Sequence, residues 1–310
     1  MPDIACLGLL VADTVGANID ALPDHGGLTL IDRIELHTGG CAANTGGSLA
    51  RIGVSTAVLG KVGNDGYGNF MIRSLQEIGV DTRGIRRDAS AATAATIVTV
   101  HSDAERSFLH VIGANATLTA QDVDWDVVDE GTKIFHIGGL QLLSAMEGDG
   151  AREVLKRAKE KGLLTTLDTV MNPRSRGWEG IAPALPFVDW ALPSFEEAKE
   201  LTGENKALRQ ARRFQEAGAK NVAVKMGANG CLIVPQDEEP FHVSPLKVTA
   251  VDSLGAGDAW IGGFLTGLLN HWPLRKTSRF ANAVGACCVQ SYGATAGVRS
   301  LQDTLALIDE

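Results

Sequence analysis

The chain has 310 residues, 45% of them apolar, only 5% aromatic, with 36 glycines and a formal net charge of −9. That length suits one large domain or one and a half with a full core. The acidic balance excludes a non-specific nucleic-acid binder, and any phosphate ligand would need local donors and Mg²⁺ to overcome long-range repulsion.

In chain order, residues 4–10 read as a first strand; the acidic start Met1-Pro2-Asp3 lacks the basic flank of a signal peptide. A polar, turn-rich excursion spans 13–37, within which 28–36 alternates apolar and polar. A helix over 41–52, a strand over 56–60 and a helix over 67–78 follow. Residues 96–101 and 106–111 alternate again and, with 28–36, predict β pairs in a separate small sheet. Asn64-Asp65-Gly66 reads as a scaffold turn. Strands at 133–137, 164–168, 190–192, 221–225 and 248–251 then alternate with helices at 152–161, 195–201, 207–217 and 258–269. Helices at 275–291 and 301–308 finish the chain. Strand–helix alternation predicts an α/β fold whose mostly parallel sheet is covered on both faces, with ligands at the carboxyl ends of its strands. Cys6, Cys41, Cys231, Cys287 and Cys288 are odd in number, with no Cys-x-x-Cys. They read as small hydrophobes of a reducing compartment, except Cys41, which adjoins Gly40 at the expected pocket. No stretch has the length of a membrane span without a charge or turn, so the expectation is a cytoplasmic protein without membrane or nucleic-acid partners.

Two motifs carry chemistry. Asp252-Ser253-Leu254-Gly255-Ala256-Gly257-Asp258 places a glycine-rich turn between the strand expected at 248–251 and a small-residue helix. Free N–H groups at a helix N-terminus cradle an anion, and Asp258 stands beside them. Phosphoryl transfer to a hydroxyl needs that pairing: one part steadies the migrating group, the other takes the hydroxyl proton. Taken alone, the motif reads first as a capped strand–turn–helix. The second is Gly39-Gly40-Cys41-Ala42-Ala43-Asn44, running on to Leu49-Ala50-Arg51-Ile52-Gly53. Its glycines allow close approach of a ligand, and the Asn44 amide both donates and accepts, as a sugar hydroxyl requires.

Together, in this order and separation, the two motifs resemble the signatures of the ribokinase, or PfkB, family of carbohydrate kinases. The resemblance covers nearly the whole chain. It implies a ribokinase-like body over 1–12, 38–92 and 113–310, and a β-sheet lid over 13–37 and 93–112 that often forms a dimer contact. It implies ATP as co-substrate, Mg²⁺, and a small sugar as substrate. Asp258 becomes the general base, with the amides of Gly255, Ala256 and Gly257 on the transferring oxygens. Asp13, Gly39, Gly40, Asn44 and Asn115 are expected at the sugar, with Arg106 on a lid strand where some relatives bind a sugar-acid carboxylate. Lys225, Gly227, Gly230 and Asn282 are expected along the nucleotide. Asp252 and the 286–296 region match a K⁺ site of relatives. Ser194-Phe195-Glu196-Glu197 departs from the family's Asn-x-x-Glu: Ser194 replaces the Asn at the nucleotide, while Glu197 remains to hold Mg²⁺ through water. Asp168 and Arg174 have polar reach toward metal or phosphate, or serve their own loop.

Three other readings stay open. A nucleoside kinase fits the flavour of Glu105-Arg106-Ser107-Phe108 leading to Gly113-Ala114-Asn115. A 2-keto-3-deoxy sugar-acid kinase would use Arg106 or Arg174. A catalytically silent sugar- or nucleotide-binding protein has its only support in Ser194. No Walker A motif, no Gly-x-Gly-x-x-Gly after the first strand, no His-Glu-x-x-His and no Gly-x-Ser-x-Gly occurs, so other nucleotide, zinc-peptidase and hydrolase chemistries lack their signals.

Overall fold

The computed structural model describes residues 1–102, 106–128 and 131–308. The strands are β1 (Ile4–Gly8), β2 (Val11–Ala17), β3 (Ile34–Gly39), β4 (Thr56–Gly63), β5 (Ile85–Asp88), β6 (Ala95–Val100), β7 (Arg106–Val111), β8 (Ile134–Gly138), β9 (Leu164–Leu167), β10 (Trp190–Ala191), β11 (Asn221–Lys225), β12 (Cys231–Val234) and β13 (Phe241–Val243). The helices are α1 (Cys41–Ile52), α2 (Gly66–Glu77), α3 (Asp149–Glu160), α4 (Trp178–Ile181), α5 (Phe195–Thr202), α6 (Ala207–Glu216), α7 (Ala256–Leu269), α8 (Leu274–Cys288) and α9 (Leu301–Ala306). Among the described residues, no helix is long and apolar enough to cross a membrane.

Nine strands form one sheet in the order β13-β12-β11-β10-β9-β8-β1-β4-β5. It is parallel from β11 to β5, and β12 and β13 close one edge antiparallel. Successive side chains of β1 point to opposite faces, as the two-residue period demands. Ala5 and Leu7 join Phe135, Leu155 and Phe214 beneath α3 and α6. Ile4 and Cys6 join Leu49, Ile261 and Phe264 beneath α1 and α7. Burial on both faces explains why these strands read as continuous apolar runs.

The remaining strands form the expected small sheet, β3-β2-β6-β7, with β2 and β6 parallel and the outer pairs antiparallel. Asp65 caps α2 through Gly68 N–H at 2.8 Å and also receives Thr93 N–H at 2.7 Å, tying the small sheet's entry to the body. That turn is scaffold, as expected.

Two strand expectations fail. Of 28–36, only the part from Ile34 onward pairs. Leu28 and Leu30 are more than four-fifths exposed, so their alternation has no core to face. Residues 248–251 form no ladder; instead Val251 and Asp252 N–H both donate to Val289 O. β-branched residues favour extension, but a strand exists only where an edge is free to pair.

Candidate active site

The carboxyl ends of β1, β8, β9 and β11 meet the N-termini of α1 and α7. Gly255 starts α7 from a left-handed conformation, φ 73°, and a Cβ there would lie 2.5 Å from Ala294, so the turn requires glycine. At the first turn of α7, Gly257 and Asp258 N–H have no acceptor among the described residues, which leaves an anion-binding end. Ala256 differs from expectation: its N–H turns back to Ser253 O at 3.3 Å.

Asp258 is held by a residue 214 positions away. Asn44 Nδ2 donates to its Oδ2 at 2.8 Å, and Thr45 Oγ1 donates to its backbone O at 3.4 Å. The contact exists because α1 and α7 pack on small residues; a Cβ on Gly262 would lie 3.0 Å from Ser48 Cβ. Burial pushes the Asp258 carboxyl up to about 6, against the lowering pull of Asn44 and Lys225. Asn44 was expected at the sugar. Its Nδ2 is committed to Asp258, while its Oδ1 is buried without a partner and remains open to a hydroxyl donor.

Lys225 is buried at the end of β11, and its Nζ donates to Asp168 Oδ1 at 2.7 Å. A Cβ on Gly257 would lie 3.6 Å from that Nζ, so the ammonium stands beside the free amides of α7. Burial pushes the Asp168 carboxyl upward, whereas Asp168, Glu197 and Asp258 together keep Lys225 charged. Asp168 thus joins the site through Lys225. Arg174 is exposed, and its N–H closes a local turn onto Asn172 Oδ1.

Ser194 and Glu197 form a reciprocal cap on α5: Ser194 N–H donates to Glu197 Oε2 at 2.7 Å, and Glu197 N–H to Ser194 Oγ at 3.3 Å. Thr169 Oγ1 also donates to Glu197 Oε2, at 2.9 Å. Glu197 lines a cleft of about 160 Å³ together with Gln141, Asn172 and Ser175. One of its oxygens is engaged twice within the protein and the other is left for an outside partner, which suits a water-mediated cation. Nothing in the sequence pointed to Thr169 or Gln141; only the fold brings them here.

Asp13 lies on β2 and is 7% exposed. Burial raises its carboxyl, opposed by the Thr96 hydroxyl and by His37. A Cβ on Gly39 would fall 2.0 Å from Asp13 Oδ2, and one on Gly40 2.4 Å from Leu9 O. The paired glycines therefore make room for the protein's own atoms, where the sequence suggested a ligand.

Several expected contacts are occupied inside the protein. Asn115 is fully buried and spans the Leu10 peptide, Oδ1 receiving Leu10 N–H and Nδ2 donating to Leu10 O. It pins the strand end and does not face a sugar. Asn282 accepts from Trp260 Nε1 at 2.8 Å and donates to Ser244 O at 2.8 Å. Its oxygen thus braces α7 through Trp260 and its Nδ2 braces the chain after β13, so both ends of the amide are engaged within the protein. Gly230 has φ 78° and packs against Val243 O, whereas Gly227 is open. Asp252 Oδ1 receives Leu254 N–H and Oδ2 receives Gly293 N–H, joining the glycine-rich turn before α7 to the segment after α8. Arg106 lies on β7, but its side chain and Glu105 fall outside the described residues.

The pfkB family carbohydrate kinase profile matches residues 1–301. Fructokinase-2 of Zea mays is 30% identical over 310 residues, covering 93% of this chain and 91% of its own. Aminoimidazole riboside kinase of Salmonella typhimurium is 30% identical over 276 residues, 83% of each chain. A structure assigned to ribokinase II of E. coli, in complex with ATP and Mg²⁺, superposes with a TM-score of 0.84 at 25% identity, covering 100% of this chain and 99% of that one.

Proposed function

The chain belongs to the pfkB family of carbohydrate kinases and is an ATP-dependent sugar kinase; we propose that it phosphorylates a primary hydroxyl of a small sugar with Asp258 as general base. The observation that carries this is Asp258 itself: a half-buried carboxylate on the first turn of α7, fixed by Asn44 and flanked by free amides and the Lys225 ammonium.

The acceptor hydroxyl hydrogen-bonds to Asp258. As its oxygen bonds the γ-phosphorus, its proton passes to that carboxylate and the bond to the bridging oxygen of ADP breaks. The Gly257 and Asp258 amides and Lys225 stabilise the charge on the moving phosphoryl group. Asp13 and Asn44 Oδ1 orient the sugar hydroxyls. Mg²⁺, when bound, neutralises phosphate charge; Glu197 is the residue that would hold it, through water. The sugar-acid reading turns on Arg106, whose side chain lies outside the described residues, and on Arg174, which is exposed in a local turn; intact acid–amide geometry disfavours a silent binding protein. An ADP-release assay across ketohexoses, pentoses, ribosides and sugar acids tests the reading. It expects turnover with neutral sugars or ribosides; ATP hydrolysis indifferent to every acceptor would refute it.

Residues 13–37 and 93–112 fit a lid that carries Asp13 over the sugar. Exposed Ile97, Leu109 and Val111 on β6 and β7 supply an apolar surface for a second copy. Sedimentation is expected to give a dimer that Leu109→Glu converts to monomer; a wild-type monomer would remove this contact.

A K⁺ ion fits the turn at Asp252, which ties the anion-binding amides to the segment after α8. Replacing K⁺ by a bulky organic cation is expected to lower the rate. An unchanged rate would exclude a functional K⁺ there.

A further inference from the structure

The first residue of α1 plays no part in the chemistry above. Cys41 is half-buried, and its sulfur sits where a Cβ on Gly139 would be 2.9 Å away. One donor atom each from Cys41, Asp168 and Asp258 lie within 4.8 Å of one another. Among the described residues, no other group of three His, Cys, Asp or Glu side chains meets in this way.

We propose that Cys41, Asp168 and Asp258 form a binding site for a thiophilic divalent cation of the Zn²⁺ class, whose occupation shuts off the kinase.

Three observations support it. The donor set is one sulfur and two carboxylate oxygens, which suits Zn²⁺ at a Zn–S distance of about 2.3 Å and Zn–O of about 2.0–2.2 Å. Closing the donors to those lengths asks for shifts on the order of 1 Å, within the reach of side-chain torsions. Second, the local charge is unbalanced: Asp168, Asp258 and Glu197 surround the single ammonium of Lys225. A divalent cation corrects that imbalance, and Asp168 needs only its second oxygen, since Lys225 bonds Oδ1. Third, an open acceptor lies beside the cluster. Asn44 is only 5% exposed, its Nδ2 is 2.8 Å from Asp258, and its Oδ1 is buried without a partner.

Sulfur gives the site its selectivity. Mg²⁺ prefers oxygen and keeps its waters, so it does not compete for the thiolate, whereas Zn²⁺ does. Binding replaces the thiol proton, which leaves to solvent, by a metal–sulfur bond. No redox change occurs. The bound cation occupies the carboxylate that must accept the substrate proton, so turnover stops. The binding claim stands on geometry alone; its effect on turnover rests on the kinase reading.

The test uses the full chain with excess Mg²⁺ and no nucleotide, titrated with Co²⁺ as a spectroscopic stand-in and then with Zn²⁺. The expected result is one equivalent bound, a near-ultraviolet thiolate-to-cobalt charge-transfer band, and proton release. Cys41→Ala and Cys41→Ser should lose the band. Relative to each variant's own metal-free rate, the Zn²⁺ needed for half-inhibition should rise roughly tenfold or more. No band with the wild-type chain, or a band that survives in both Cys41 variants, overturns the site. A Cys41-dependent band with undiminished turnover overturns the shut-off. A chain inactive on every acceptor refutes the kinase reading, yet the cobalt spectrum still decides the site.

Discussion

Asp258→Asn is expected to lower kcat by about 10²–10⁴-fold while leaving Mg·ATP binding nearly unchanged. The substitution is close to isosteric. The amide oxygen still accepts from Asn44 Nδ2, so the α1–α7 contact and the N-terminus of α7 survive. What disappears is the one group positioned to take the hydroxyl proton. Steady-state kinetics with nucleotide titration measures both quantities. A kcat within a few fold of wild type would remove Asp258 from the chemistry. An equal loss in nucleotide affinity would show that the side chain organises the phosphate end instead.

Lys225→Met is expected to cost up to about 3–5 kcal/mol of stability at neutral pH, because it leaves Asp168, whose carboxyl burial already pushes upward, either charged without its partner or forced to take up a proton. Asp168 is 2% exposed and receives the ammonium at 2.7 Å, so neither water nor another cation replaces Lys225. Turnover should fall as well, since the same ammonium stands beside the free amides of α7. The double variant Lys225→Met with Asp168→Asn should regain most of the lost stability, the buried charge having gone, but not the rate. Denaturant midpoints for the two single variants and the double give the coupling directly. Additive losses would mean that the pair is not a unit.

Much of this architecture was legible because its causes are local. Strand-length apolar runs such as 221–225 and helices flagged by small residues, caps and glycines follow from periods of two and 3.6. The pocket's location followed from the parallel sheet. Most of what escaped the sequence depended on long-range packing. Asn44 and Asp258 meet only because α1 and α7 approach on Gly262 and Ser48. Lys225 and Asp168 lie on β11 and in the residue following β9, two strands apart with β10 between them. Asn115 and Asn282 were expected at the sugar and the nucleotide, yet each satisfies buried backbone groups, a demand invisible until the fold shows which peptides lack partners. The 248–251 segment carried strand-like residues, but its nearest acceptor is the end of α8 and not a strand edge. Ser194 reads both ways: it caps α5, and the same reciprocal bonds fix Glu197 at the cleft.

The account's central claim is a half-buried carboxylate base whose affinity for a proton is raised by its surroundings. Burial lifts Asp258 to about 6, so the base is ionised above that value and is lost as pH falls through it. The decisive measurement is the pH dependence of kcat/KM for the sugar at saturating Mg·ATP, in the wild-type chain and in Asp258→Asn. The wild type should be flat at neutral pH and fall about tenfold per unit below a midpoint near 6, and the residual rate of Asp258→Asn should lack that limb. The same limb in both proteins, or a wild-type limb at the ordinary carboxylate value, would contradict the assignment.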